Sequence, residues 1–325
     1  MTDPAMTAAA KPESASTATT ACATTTQTPS MGTAAVAHTG RIIDAPHAGA
    51  VARFAVIGHP VTHSRSPDIH AAFAAQTGIA LSYDRRDAPE DAFVPSATAF
   101  FEAGGTGLNV TVPFKHEAFA LAGSRLSERA QRAGAVNTLW MEADGVHGCN
   151  TDGIGLVADL RRLGRQLEGK RILMVGAGGA ARGVLHPLLA TGCAALHVAN
   201  RTPARAQALA ALDDSGRVTA GDLASAAQPE GWDIVINASA SSLGDAPPDL
   251  PAGLYAPGAL AYDMMYGAQP TPFMRQATAD GAHAAADGLG MLVGQAAESF
   301  FIWHGIRPDP APVLDALRRS LGKRA

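Results

Sequence analysis

The chain has 325 residues, a length that predicts two domains rather than one or three, either of them large enough to bury a core. It carries 25 basic against 29 acidic residues with no basic stripe or acidic block, which argues against a nucleic-acid surface or an anionic membrane patch. No apolar run reaches the roughly eighteen residues of a membrane span, because Arg182 and Glu298 interrupt the two most hydrophobic regions.

Residues 1 to 50 are mostly Ala, Thr, Ser and Pro and cannot bury enough surface to offset their ordering entropy, so a disordered tail is predicted there. The stretch lacks the apolar core of a secretory signal, and arginine is absent until Arg41, which speaks against a transit peptide. Three scattered cysteines, Cys22, Cys149 and Cys193, read as reduced thiols in a cytoplasm.

From Arg53 onward short apolar strands alternate with helical segments, the pattern of βαβ units and a largely parallel sheet. "RFAVIG" reads as a strand. Ser66 and Pro67 then open a helix, as N-cap and first helical residue, that Gly78 closes. "LSYDR" and "LNVTV" read as the next strands, and "AVNTLWMEADGVHGCN" as a hairpin turning at Asp144 and Gly145. "DGIGLVADLRRLG" is an amphipathic helix with Ile154, Val157 and Leu160 near one face. A second unit starts with the strand Arg171 to Val175, continues through "ALHVANR", "DIVINAS" and "LAYDMMY", and ends in helical text whose last helix is capped at Asp309 and Pro310.

Gly176, Gly178 and Ala181 fit G-x-G-x-x-G/A between a strand and a helix start. In that setting Gly176 permits a tight turn, Gly178 lets backbone N–H groups approach a pyrophosphate, and Ala181 allows close helix packing. A glycine trio alone is equally a plain turn. About twenty residues on, where an NAD site carries Asp or Glu, the chain has "ANRTPAR", with Asn200, Arg201, Thr202 and Arg205 and no carboxylate. Two guanidiniums and a hydroxyl suit a 2′-phosphate, which points to NADP; the bland alternative is an exposed helix start.

Hydride transfer from a secondary alcohol also needs a group to take the hydroxyl proton. Three polar clusters compete for that work. In "NVTVPFKH", Asn109 and Thr111 share a strand face and Lys115 follows its carboxyl end, where open α/β sheets form clefts. In "NTDG", Asp152 is placed either for chemistry or simply to cap the following helix. In "HSRSP", Ser64 and Ser66 offer two hydroxyls to a carboxylate. His59, His63 and His70 have no carboxylate or thiol set at ligand spacing, so no metal is expected.

The segments "AVIGHPVTHSRSP", "NVTVPFK", "AGAVNT", "NTDG", "GAGGAAR", "NRT" and "ADGLGMLVGQAA", in this order, resemble the shikimate dehydrogenases, NADP-dependent enzymes of aromatic amino-acid biosynthesis. The resemblance runs from about residue 53 to the end. It implies an α/β fold in two parts. A substrate domain spans 51–152 and is completed by helices at 289–325, and a Rossmann-like, doubly wound NADP-binding domain spans 153–288. It further implies Lys115 and Asp152 as the catalytic pair and Ser64, Ser66 and Tyr266 around the substrate carboxylate. Thr111, Asn137, Asp152 and Gln295 would meet the ring hydroxyls. NADP would lie on Gly176, Gly178, Gly179, Ala180, Asn200, Arg201, Thr202 and Arg205, with Gly288 beside the nicotinamide.

An ordinary lysine is protonated at neutral pH, so Lys115 is equipped to protonate the alkoxide formed when 3-dehydroshikimate is reduced. Which member of the pair takes the proton in the reverse direction stays open. Two departures stand out: Cys149 precedes "NTDG" where many members have Asp, and Gly267 follows Tyr266 where a polar residue is common. The rival readings are a quinate/shikimate dehydrogenase using NAD, a folate-type dehydrogenase, and a relative that senses the ligand without catalysis. The expected partner is a small-molecule substrate, with no nucleic acid or membrane, for a cytoplasmic monomer or homodimer.

Overall fold

The computed structural model describes residues 51–239 and 246–322. The tail predicted over 1–50 lies outside them. The first sheet is built from β1 (Ala52–Gly58), β2 (Leu81–Asp87), β3 (Gly107–Val110), β4 (Thr138–Glu142) and β5 (Gly145–Cys149), in the order β2-β1-β3-β4-β5. β1 pairs in parallel with β2 and β3, and β4 and β5 add antiparallel to that core. Its helices are α1 (Ser66–Thr77), α2 (Phe93–Glu102), α3 (Lys115–Ala122) and α4 (Glu128–Ala133).

The second sheet contains β6 (Arg171–Val175), β7 (Ala195–Ala199), β8 (Val218–Gly221), β9 (Trp232–Asn237), β10 (Tyr255–Asp263) and β11 (Ala284–Asp287). All its pairings are parallel, and its order β8-β7-β6-β9-β10-β11 is that of a doubly wound dinucleotide-binding sheet. Helices α5 (Asp152–Arg162), α6 (Gly179–Leu189), α7 (Pro203–Ala210), α8 (Pro272–Ala279), α9 (Leu289–His304) and α10 (Pro310–Gly322) complete the chain.

Strand periodicity divides the second core in two. Ile172 and Met174 of β6 face a cluster with Leu156, Leu160, Val184 and Leu188, while Leu173 and Val175 face Val235, Ala261 and Phe273. In the first sheet, Ala55, Ile57, Leu108 and Val110 pack under Phe93, Phe100 and Phe114. On α1, Ile69 and Phe73 pack on Leu289, Val293, Phe300 and Leu317, so α9 and α10 return to the first part of the chain. Among the described residues no helix is long and apolar enough to cross a membrane.

Three local expectations are corrected. Ser66 is not the cap of α1: Arg65 holds that place without a side-chain bond, and the buried Ser66 hydroxyl is engaged by Ser64 Oγ at 3.2 Å. The β4–β5 turn sits one residue earlier than expected, because Glu142 pairs with Gly145 and leaves Ala143 and Asp144 as the loop. The "LNVTV" strand ends at Val110, after which Phe114 N–H donates to Thr111 O at 3.1 Å and turns the chain into α3. Gly78 does close α1 in a left-handed conformation, at φ 74°.

α9 also packs tightly on α5. A methyl group at Gly155 would fall 2.6 Å from both Gln295 N and Met291 O. Gly155→Ala is therefore expected to destabilise the protein by roughly 1–3 kcal/mol, because only backbone could yield. A lower denaturant midpoint at unchanged slope would show it, and an unaltered midpoint would rule out this close packing.

Candidate active site

The turn after β3 and the start of α5 bring two charges together. Lys115, the first residue of α3, places Nζ 2.5 Å from Asp152 Oδ2 at the first turn of α5. Their side chains are only 15% and 7% exposed, so the pair is shielded from the screening that weakens surface ion pairs. Asp152 does not cap its helix. Its N–H donates instead to Asn150 Oδ1 at 3.1 Å, leaving the carboxylate for Lys115 and for Asn137, whose Nδ2 lies 2.9 Å from Oδ1.

Asn137 is held in turn from several sides. Its Oδ1 accepts from Thr138 Oγ1 and Thr151 N, each at 2.9 Å, and its Nδ2 lies 2.9 Å from Thr151 Oγ1 and 3.2 Å from Gln295 Oε1. Gln295, nearly two turns into α9, is anchored through Nε2 to Leu292 O at 3.0 Å. Thr111 is partly buried beside Gly58, where an added methyl would fall 2.3 Å from Thr111 Cγ2. Ser64 and Ser66 sit together at the start of α1, and Arg85 donates twice to Ser64 O, at 2.8 and 2.6 Å. Tyr266 packs against the cluster that includes Ile69 and Leu289; burial raises its phenol pKa, with Arg65 opposing.

The glycine loop adjoins this pair. Gly176 ends β6 at φ 109°, a conformation open to glycine, packed where a methyl would lie 2.9 Å from Ser239 N. Gly178 has open space around its Cβ position, and Gly179 begins α6. A methyl at Gly179 would be 4.0 Å from Lys115 Cβ and Cδ, and one at Gly183 would be 3.0 Å from Asp152 Oδ2. The Lys115–Asp152 ion pair thus lies against the first turns of α6, the helix whose N-terminus favours a phosphate.

β6 and β9 adjoin at the point where the strand order reverses, so the loop opens into the crevice in which doubly wound sheets bind ligands. Beyond β7, Asn200 Nδ2 donates to Thr202 O at 2.9 Å, and Arg201 and Arg205 are exposed with no ion-pair partner among the described residues. An open loop at a helix start and two uncommitted guanidiniums fit a dinucleotide bearing an extra phosphate. Ala180 follows in α6, and Gly288 precedes α9 so closely packed that a methyl would fall 2.2 Å from Met264 O.

Family models match three segments: residues 56–139 to the shikimate dehydrogenase substrate binding domain, 159–243 to shikimate / quinate 5-dehydrogenase, and 288–318 to the shikimate 5'-dehydrogenase C-terminal domain. A shikimate dehydrogenase (NADP(+)) of Bordetella petrii is 65% identical over 83% of this chain and 96% of its own length. The chain belongs to the shikimate dehydrogenase family. A Bordetella avium member of that family, also named for NADP(+), is 64% identical over 84% of this chain and 97% of its own length. The shikimate 5-dehydrogenase of Thermus thermophilus, solved in complex with NADP(H) and shikimate, is 37% identical at a TM-score of 0.73, covering 83% of this chain and all of that one. Set beside the family pattern, Cys149 is buried next to Arg129, whose guanidinium pairs with Glu298 on α9 at 2.9 Å. A carboxylate near Arg129 therefore comes from α9 rather than from the residue before "NTDG".

Lys115 of "NVTVPFK", Asn137 of "AGAVNT" and Asp152 of "NTDG" meet in one hydrogen-bonded cluster, and two residues of the surrounding network escaped sequence reasoning. Tyr83 and Ser299 join it through hydrogen bonds to Asn109 at 2.7 and 3.0 Å, across 26 and 190 residues of chain. Neither lies in a motif, and no local pattern marks them.

Proposed function

We propose that the protein catalyses the reversible NADPH-dependent reduction of 3-dehydroshikimate to shikimate, in the cytoplasm, with Lys115 and Asp152 managing the proton. The observation that carries this reading is the 2.5 Å contact between Lys115 Nζ and Asp152 Oδ2 against the start of the dinucleotide helix. NADPH supplies the hydride. Lys115 protonates the oxygen that becomes an alkoxide, and Asp152 holds the ammonium in place while accepting from a ring hydroxyl.

Ser64, Ser66 and Tyr266 present hydroxyls to the substrate carboxylate, a group they can fix by donation without an opposing charge. Thr111, Asn137 and Gln295 fix the ring hydroxyls, which sets the carbonyl carbon toward the nicotinamide side near Gly288. Residues 51–152 with 289–325 act as the substrate part, and 153–288 as the cofactor part. Gly176, Gly178, Gly179 and Ala180 receive the pyrophosphate, and Asn200, Arg201, Thr202 and Arg205 the 2′-phosphate end.

Initial rates with shikimate and quinate, each with NADP and NAD, test this reading. Shikimate with NADP is expected to dominate, and equal rates with NAD would overturn the role given to "NRTPAR". Arg201→Ala with Arg205→Ala is expected to raise KM for NADP by about a hundredfold or more, since each lost charge-assisted bond costs roughly 1.5–3 kcal/mol. KM for NAD should stay unchanged, and a parallel rise for both cofactors would place those arginines elsewhere.

A further inference from the structure

His116 follows Lys115 on α3 and is exposed. Its ring is held all the same, because Nδ1 lies 3.0 Å from the carbonyl oxygen of Gly134, the residue that closes α4. That contact fixes the tautomer. A carbonyl oxygen only accepts, so Nδ1 carries a proton, and in a neutral ring Nε2 is left with a lone pair. Nε2 has no hydrogen-bond partner among the described residues and stands close to α6: a methyl at Gly179, the first residue of that helix, would fall 4.0 Å from it. Around the ring, Lys115 is paired with Asp152, and Arg132 near the end of α4 with Glu128. Glu117 follows on α3, and Arg182 of α6 reaches within 3.7 Å of where a methyl on Gly134 would lie.

We propose that His116 is a cofactor-binding residue whose Nε2 donates a hydrogen bond to the pyrophosphate of NADP, and that the ring takes up a proton to do so. This rests on the assignment of that pyrophosphate to Gly176, Gly178, Gly179 and Ala180. A phosphate oxygen accepts charge-assisted bonds at about 2.8 Å, so a nitrogen held this close to Gly179 reaches a group seated on the start of α6. The neutral ring cannot serve, since its one N–H is turned to Gly134 O and a lone pair would face the phosphate. Only the imidazolium offers a donor on both sides. The proton comes from solvent, to which the side chain is open, and the bond would tie the start of α3, and with it Lys115, to the cofactor.

Calorimetric titration of NADP into the protein, without substrate and without turnover, tests this in wild type and His116→Ala at about pH 6 and about pH 8.5, on either side of the range in which imidazoles change charge. His116→Ala is expected to raise Kd about tenfold at the lower pH and less than about twofold at the higher, where the wild-type ring has no second proton to donate. The 2′-phosphate of NADP titrates in both experiments and cancels in the ratio of the two proteins. At neutral pH, titrations in buffers of different ionisation enthalpy should show wild type taking up more protons on binding than the variant. A wild-type Kd for His116→Ala at about pH 6, the same fold-loss at both pH values, or equal proton uptake overturns the inference. Failure of the unaltered protein to bind NADP would refute the cofactor site itself, whereas normal wild-type binding with any of those three results refutes only the role of His116.

Discussion

Replacing Lys115 by methionine is expected to lower kcat for shikimate oxidation, and for the reverse reduction, by about a hundredfold or more with little change in KM. Methionine keeps most of the stem that lies beside Gly179 and removes the ammonium 2.5 Å from Asp152. The residues proposed to bind substrate, Ser64, Ser66, Thr111, Asn137, Tyr266 and Gln295, are not altered by the change. The loss should therefore fall on the step in which oxygen charge develops. Steady-state kinetics on a variant shown to fold by circular dichroism would check this, and wild-type turnover would refute the role.

Acid should destabilise this protein steeply below about pH 6.5, and His70 should account for much of the slope. His70 is fully buried among Phe73, Tyr83, Phe300 and Trp303, and burial first, then the neighbouring His304, lowers its pKa from 6.5 to about 3 against a smaller opposing effect of Asn109. His304 is lowered to about 4, also by burial.

The sign follows from proton counts. Between pH 6.5 and about 3 the unfolded chain protonates His70 and the folded one does not, so stability is full above 6.5 and falls as pH drops toward 3. One such group contributes a slope of about 1.4 kcal/mol per pH unit. His70→Phe, which keeps an aromatic ring against Tyr83, is expected to flatten the profile by about one proton. Urea midpoints measured across this range would show it, and parallel profiles for the two proteins would contradict it.

Much of this molecule can be read from its sequence because local rules and tertiary structure agree. The strand Arg171 to Val175, the glycines after it and the helix that follows are found where periodicity and turn chemistry put them. β11 was not legible: "AAAD" has no β-branched or aromatic residue, and it is a strand because β10 pairs with it through four residues.

Ser66 shows the opposite case, in which a residue with strong capping preference leaves the cap to Arg65 and is engaged by its near neighbour Ser64 instead. The proximity of Lys115 and Asp152 across 37 residues is invisible to spacing, and came from the resemblance carried by "NVTVPFK" and "NTDG". Tyr83, Asn109 and Ser299 form a network from β2, β3 and α9, and a network that depends on three separate elements leaves no local trace.

The most direct test of proton delivery by Lys115 is the kcat of Lys115→Arg in the direction of ketone reduction. Arginine keeps a positive charge and can pair with Asp152, but it does not release a proton within the working pH range. If Lys115 gives up its proton, this variant should bind substrate and turn over as poorly as Lys115→Met. If charge alone is needed at that position, Lys115→Arg should work at close to the wild-type rate, and the assignment of proton transfer to Lys115 is then wrong.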